Sequence, residues 1–290
     1  MTTSVDGTPS ETADSPSVDR GESTDDVHHT AGFPRENAMS NEDFALHGNT
    51  ALVTGGGRGI GLSLAHALAE HGAHVVIGEI DRNTGESAAE RVGGEFVPLD
   101  VTDSARVAEV VGEIVAAHGS LDVSVHNAGM VRNENAEDTS DESWRQVLRL
   151  NLDGVFYCCR EVGRAMLERG RGSIINIASV SGMVSNHPQA QVAYNTSKAG
   201  VITMTRSLAG EWADRGVRVN AISPGYVGTD LLRGVRETRP EWYSAWLEQT
   251  PMGRVADPSE LGPLAVYLAS NASSFMTGSN VVIDGGFTAW

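Results

Sequence analysis

The 290-residue chain carries 21 Lys and Arg against 38 Asp and Glu, a formal net charge of −17. Such acidity excludes a binder of nucleic acid or of anionic membranes, which needs a basic face. An apolar share of 40% with 33 Gly and 10 Pro suits one large α/β domain with a sizeable core and excludes fibrous and low-complexity classes. No run approaches the ~18 apolar residues of a membrane helix and no basic-then-apolar leader is seen, so a soluble cytoplasmic protein is expected. Cys158 and Cys159 are adjacent, a spacing that makes neither a disulfide framework nor a zinc motif. They read as small helix-packing residues, and no metal site is expected.

Residues 1–43 are rich in Ser, Thr, Asp, Glu, Gly and Pro and show neither helical nor alternating apolar period, which predicts a disordered acidic tail. His28 and His29 within it read as solvated side chains. From Asn49 onward β-branched runs alternate with helical patterns. A strand at 51–53 leads through a glycine loop into a helix bearing Ile60, Leu64, Ala67 and Leu68, and strands follow at 73–77 and 95–99. Val107, Val110, Val111, Ile114 and Val115 mark one face of the next helix. Further strands are expected at 121–125, 173–177, 217–221 and 280–283, and helices at 142–169 and 192–214. The alternation predicts βαβ crossovers and thus, over 44–290, a single doubly wound α/β domain: a parallel sheet of about seven strands with helices on both faces.

The first strand runs into Thr54-Gly55-Gly56-Gly57-Arg58-Gly59-Ile60-Gly61, directly before a helix. Glycines there let the backbone turn sharply and approach a pyrophosphate, which sits against the unpaired N–H groups and positive dipole of the helix start. Glu79 ends the second strand, where a dinucleotide fold places the acid that accepts hydrogen bonds from the adenosine ribose. A carboxylate there repels a 2′-phosphate, so NAD(H) is expected rather than NADP(H). Asp81 competes for the role, and Arg58 is the residue that would greet a 2′-phosphate. Tyr194 and Lys198, four apart in a predicted helix, project from one face. A free phenol titrates near ~10, too high for proton transfer around neutrality, and an adjacent cation lowers it. That cation is the only lysine in a chain that otherwise uses arginine.

With these residues in place the sequence resembles a short-chain dehydrogenase/reductase over residues 46–290. The family's glycine motif is matched at Thr54, Gly55, Gly59 and Gly61, its Asn-Ala-Gly at Asn127, Ala128 and Gly129, and its active-site pair at Tyr194 and Lys198. One departure is His126, where the family often has a second asparagine. The resemblance implies a Rossmann-type fold that binds a nicotinamide cofactor. It further implies catalytic positions at Asn151 and Ser179, an adenine-pocket pair at Asp100 and Val101, and a nicotinamide loop contributing Pro224, Gly225, Val227 and Thr229, with Arg58 and Ile60 at the phosphates. In the implied mechanism Tyr194 moves the alcohol proton and Ser179 holds the substrate oxygen. Lys198 lowers the Tyr194 pKa and binds the nicotinamide ribose, and Asn151 positions a water. A homotetramer is also implied, with helices 142–169 and 192–214 meeting their mates and Cys158 and Cys159 available to that interface.

Substrate choice is expected in the segment after Ser179 and in the insert between Thr229 and Met252, because loops at the carboxyl ends of parallel strands line the pocket. The run 181–191, together with Pro240-Glu241-Trp242 and Trp246, is similar to polyol and sugar-alcohol dehydrogenases. Polar Ser181, Asn186 and Gln189 beside Trp246 suit a small polyhydroxylated molecule, although Trp242 and Trp246, four apart, would also serve as packing residues. Two other readings stand beside this one. A 3-oxoacyl-(acyl-carrier-protein) reductase would want NADPH and a basic docking patch, against Glu79 and the acidic domain. A catalytically silent dinucleotide sensor would not need the complete set Asn151, Ser179, Tyr194 and Lys198.

Overall fold

The computed structural model describes residues 40–290. Each strand is a short run of β-branched or apolar residues, and most are buried on both faces, the mark of a parallel sheet covered by helices. The first half runs β1 (Thr50–Thr54), α1 (Gly59–Glu70), β2 (His74–Glu79), α2 (Arg82–Val92), β3 (Glu95–Pro98), α3 (Ser104–His118) and β4 (Val123–His126). Next come α4 (Asp141–Leu148), a π-helical turn (Arg149–Asp153), α5 (Gly154–Arg169), β5 (Gly172–Ile177), α6 (Val192–Trp212) and β6 (Val217–Pro224). The chain closes with α7 (Asp230–Thr238), α8 (Pro240–Gln249), α9 (Gly262–Ala269) and β7 (Asn280–Ile283).

All seven strands of the described residues run parallel in the order β3-β2-β1-β4-β5-β6-β7. This is the doubly wound architecture that the sequence predicts. Two apolar cores flank the sheet. One gathers Val110 of α3, Val162 and Met166 of α5 and Val201 of α6. The other gathers Leu64 and Leu68 of α1 with Val266 and Leu268 of α9. Helices α1, α2 and α9 therefore pack on one face and α3, α5 and α6 on the other.

The sequence-based expectations need four corrections. The tail expected over 1–43 lies outside the described residues up to residue 39. Asn41–Phe44 form a 3₁₀ turn, in which the Asp43 carboxylate accepts from Ser40 N at 2.8 Å. The Phe44 ring packs, tilted, 6.3 Å from that of Tyr267, and Leu46 just beyond is fully buried. The helix expected over 142–169 is split by the π turn at 149–153. Cys158 and Cys159 are buried in the chain's own core rather than offered to a partner. Finally, α2 was not anticipated, because its apolar stripe is weak. Its ends are nevertheless well marked: Asp81 accepts from Thr84 N at 2.8 Å, and Gly93 closes it at φ 64°. No helix of the described residues is long and apolar enough to cross a membrane.

At the end of the sheet where the strands begin, Asp122 knits three elements together. Its carboxylate accepts from Thr50 N (3.1 Å), Ser120 Oγ (2.7 Å), Arg169 (2.8 Å) and Arg171 (3.1 Å). Burial alone would raise its pKa, but the hydroxyl, the amide and the Arg169 guanidinium together hold it below the usual aspartate range. A carboxyl lowered on folding adds stability above its unfolded pKa and loses it as the pH falls through the folded one. Asp122→Asn should therefore cost about 2 kcal/mol in urea unfolding at pH 7, and the gap from wild type should close on acidification below about pH 4.

Candidate active site

The cleft lies at the carboxyl ends of β1 and β4, adjacent strands whose following helices take opposite faces. Thr54 ends β1, and its hydroxyl accepts from Asn127 N (3.1 Å) and Ala128 N (3.3 Å) just beyond β4. The Asn127 amide donates back to Gly55 O at 2.9 Å. This clasp brings backbone against backbone so closely that side chains have no room. A Cβ on Gly61 would fall 2.2 Å from Gly55 O, and one on Gly55 would fall 2.8 Å from Ala128 Cα. The glycines thus leave a bare cradle at the start of α1, of the kind that accepts a pyrophosphate.

A cleft of about 1110 Å³ opens over that cradle. Gly55, Arg58, Gly59 and Ile60 form its floor, Glu79, Asp100 and Val101 one end, and Asn127, Ala128 and Gly129 the middle. Pro224, Gly225 and Thr229 border the other end, together with Ser179, Tyr194 and Lys198. The Glu79 carboxylate is fixed by Gly57 N (3.2 Å) and Ile80 N (2.9 Å), whereas Asp81 is engaged as the cap of α2. The donor set and the shape of the cradle fit a nicotinamide dinucleotide.

Three expected residues stand apart from the cleft wall. Gly61 lies beneath the loop, where its missing Cβ is what counts. Val227 is held by a bridge to Ala256, so its side chain turns into the core and a second pocket rather than toward the cleft. Asn151 sits in the π turn, fully buried. It accepts from Met130 N at 2.8 Å and donates to Met130 O at 2.8 Å and Ser197 Oγ at 3.1 Å. Ser197 in turn donates to Tyr194 O at 2.7 Å, so Asn151 pins the loop after β4 to the first turns of α6.

Tyr194 and Lys198 share the face of α6 that looks into the cleft. Lys198 Nζ lies 5.7 Å from the Tyr194 ring centroid and donates to Ile177 O at 2.7 Å. Burial lowers the ammonium to a pKa of about 8. Burial also raises the Tyr194 phenol, and a hydrogen bond with the Ser179 hydroxyl only partly offsets this. His126 is buried behind the site between Ser124 Oγ and Asn176 Oδ1 (both 2.9 Å), and burial holds it neutral with a pKa of about 4.

A second pocket of about 280 Å³ adjoins the cleft at Ser179 and Tyr194. Ser181, Asn186, Gln189 and Trp246 all reach it. Trp246 is buried, while Trp242 lies under Arg239 on the same helix and lines neither pocket. Sequence reasoning missed Tyr226, which stacks on Trp246 with ring centroids 4.4 Å apart. The Trp246 indole donates to Gln189 Oε1 at 2.9 Å, which leaves the Gln189 amide to donate to the Tyr226 oxygen at 3.0 Å. Asn186 Nδ2 donates to the same oxygen at 3.2 Å. With that oxygen accepting twice, the Tyr226 O–H is free to point into the pocket. Its position beside Gly225 in the matched loop was the available signal.

A family model described as enoyl-(acyl carrier protein) reductase matches residues 55–288, and the chain belongs to the short-chain dehydrogenase/reductase family of oxidoreductases, which use a nicotinamide dinucleotide. Galactitol 2-dehydrogenase (L-tagatose-forming) from Cereibacter sphaeroides is 44% identical over 85% of the chain and 98% of its own length. The NADP-dependent mannitol dehydrogenase of Hypocrea jecorina is 40% identical, over 84% and 94% respectively. The crystal structure of gox2181 superposes with a TM-score of 0.84 at 44% identity, covering 86% of this chain and 99% of the other.

The cradle supplies a test. Gly61→Ala should weaken binding of the reduced dinucleotide about tenfold or more in a nicotinamide fluorescence titration, since its Cβ displaces the loop. Gly112→Ala, on α3 with open space around the added Cβ, should leave that affinity unchanged.

Proposed function

We propose that the protein is an NAD-dependent polyol or sugar-alcohol dehydrogenase, working as a homotetramer in the cytoplasm. The observation that carries this reading is the second pocket. Its amides, Asn186 and Gln189, are paired within the wall, which leaves the Tyr226 and Ser181 hydroxyls to donate beside the cleft end that holds Ser179 and Tyr194. A small molecule bearing several hydroxyls can accept from both, which a long acyl chain cannot. Similarity to galactitol and mannitol dehydrogenases supports the same substrate class.

When bound, the nicotinamide accepts or donates the hydride. Ser179 holds the reacting oxygen by its hydroxyl, and Tyr194 removes the proton from that oxygen in oxidation and returns it in reduction. Lys198 keeps a positive charge beside the phenol while protonated. Asn151 positions Tyr194 from behind, through Ser197 and the Met130 backbone. The tetramer would join through α5 and α6, where Phe156 is exposed in the single chain.

Two measurements test the chemistry. Tyr194→Phe should lower kcat for polyol oxidation by about 10³-fold, within the range of general acid–base catalysis, with dinucleotide affinity retained. Since the phenol is raised by burial and must lose its proton for oxidation, kcat/KM for the alcohol should rise with pH while that for the ketone falls. Lys198→Met should move the oxidation limb to higher pH.

The choice of NAD rests on the fixed Glu79 carboxylate, which would face the adenosine ribose and repel a 2′-phosphate. An NADP-dependent relative makes this a separate question from the substrate. Wild type should favour NAD⁺ in kcat/KM, and Glu79→Gln should narrow the ratio to NADP⁺ by about tenfold or more. Equal ratios in the two proteins would refute the assignment.

A further inference from the structure

At the end of the sheet remote from the cleft, His74 opens β2, Glu95 opens β3 and His118 closes α3. His74 Nε2 lies 3.1 Å from Glu95 Oε1, and His118 Nε2 lies 3.5 Å from Glu95 Oε2. The two imidazole rings face each other with centroids 4.5 Å apart and planes tilted by 37°. One ligand atom from each of the three residues falls within 4.8 Å of the other two, and no other His, Cys, Asp and Glu group among the described residues converges in this way. We propose that His74, Glu95 and His118 bind a divalent transition cation of the zinc type, in a structural site unconnected with the reaction.

The geometry carries the assignment. A tetrahedral zinc holds nitrogen and oxygen ligands at ~2.0–2.2 Å, so its ligands lie about 3.3–3.5 Å from one another. The two imidazole–carboxylate separations are close to that edge length, and a small rotation of the rings brings the third into range. Two imidazoles with one carboxylate suit zinc and its neighbours rather than magnesium or calcium, which take oxygen ligands. The three side chains are 40%, 52% and 21% exposed, so ions have access and water completes the coordination.

The site would tie the edge strand β3 to β2 and to the end of α3. These elements flank the adenosine end of the cleft, since β2 carries Glu79 at its far end and β3 leads into Asp100. The three ligands sit on three separate elements, so no local sequence motif announces them.

The test uses the full, untagged chain after chelator treatment, with zinc alone as the probe. Equilibrium dialysis should show one zinc per chain in this site, and saturation at a hundredfold excess over Kd should raise Tm by about 5 °C. His118→Ala and Glu95→Gln should each lose both the bound equivalent and the Tm rise while keeping the dinucleotide affinity of wild type, which shows that they fold. His28→Ala/His29→Ala should keep both. Equal zinc binding by wild type and His118→Ala would overturn the proposal, as would loss of the equivalent in the His28/His29 variant.

Discussion

The contact on which the rest of the molecule depends is the clasp between the ends of β1 and β4. There the Thr54 hydroxyl accepts two amides from the neighbouring strand and the Asn127 side chain grips Gly55 O. The strands are adjacent, but the chain leaves them toward opposite faces of the sheet, and a crevice follows from that divergence. Because the crevice is floored by backbone, its shape depends on main-chain hydrogen bonds and on absent Cβ atoms. Glu79 is delivered to one side of it by β2, and Ser179, Tyr194 and Lys198 to the other by β5 and α6. Neither group would face a common ligand if the clasp were loosened.

Burial sets the chemical character of the catalytic end. It acts against charge on both partners, raising the Tyr194 phenol and lowering the Lys198 ammonium to about 8. Desolvation therefore favours a neutral pair, while their proximity favours a phenolate beside an ammonium. The two tendencies oppose each other at the same pair of side chains. His126 shows the contrast: buried among Ser124, Asn176 and Cys159, it stays neutral and plays a packing role.

Much of this was legible in the sequence because the decisive features are local. Glycines between a strand and a helix, an acid ending the next strand, and a tyrosine and lysine four apart all declare themselves at short range. The sheet followed from the alternation of β-branched runs with helical periods. The features that escaped depend on distant partners. Val227 seemed a cleft residue until its bridge to Ala256 turned it away. Tyr226 gains its place in the second pocket only through the stack on Trp246 and the amides of Asn186 and Gln189. Helix α2 is ended by caps rather than defined by an apolar stripe, and the π turn around Asn151 follows from bonds to Met130 and Ser197.

The Tyr226–Trp246 stack has a bearing on how such a protein changes over time. The residues proposed to transfer the proton hang from sheet ends and α6, which the core cannot easily release. The wall proposed to recognise the rest of the substrate comes from α8 and from the segment between β5 and α6, and it meets the loop after β6 at a single aromatic seam. Selectivity is thus mounted on detachable parts. A lineage can replace the insert, or exchange one amide for another along the seam, and acquire a different alcohol while inheriting its reaction intact.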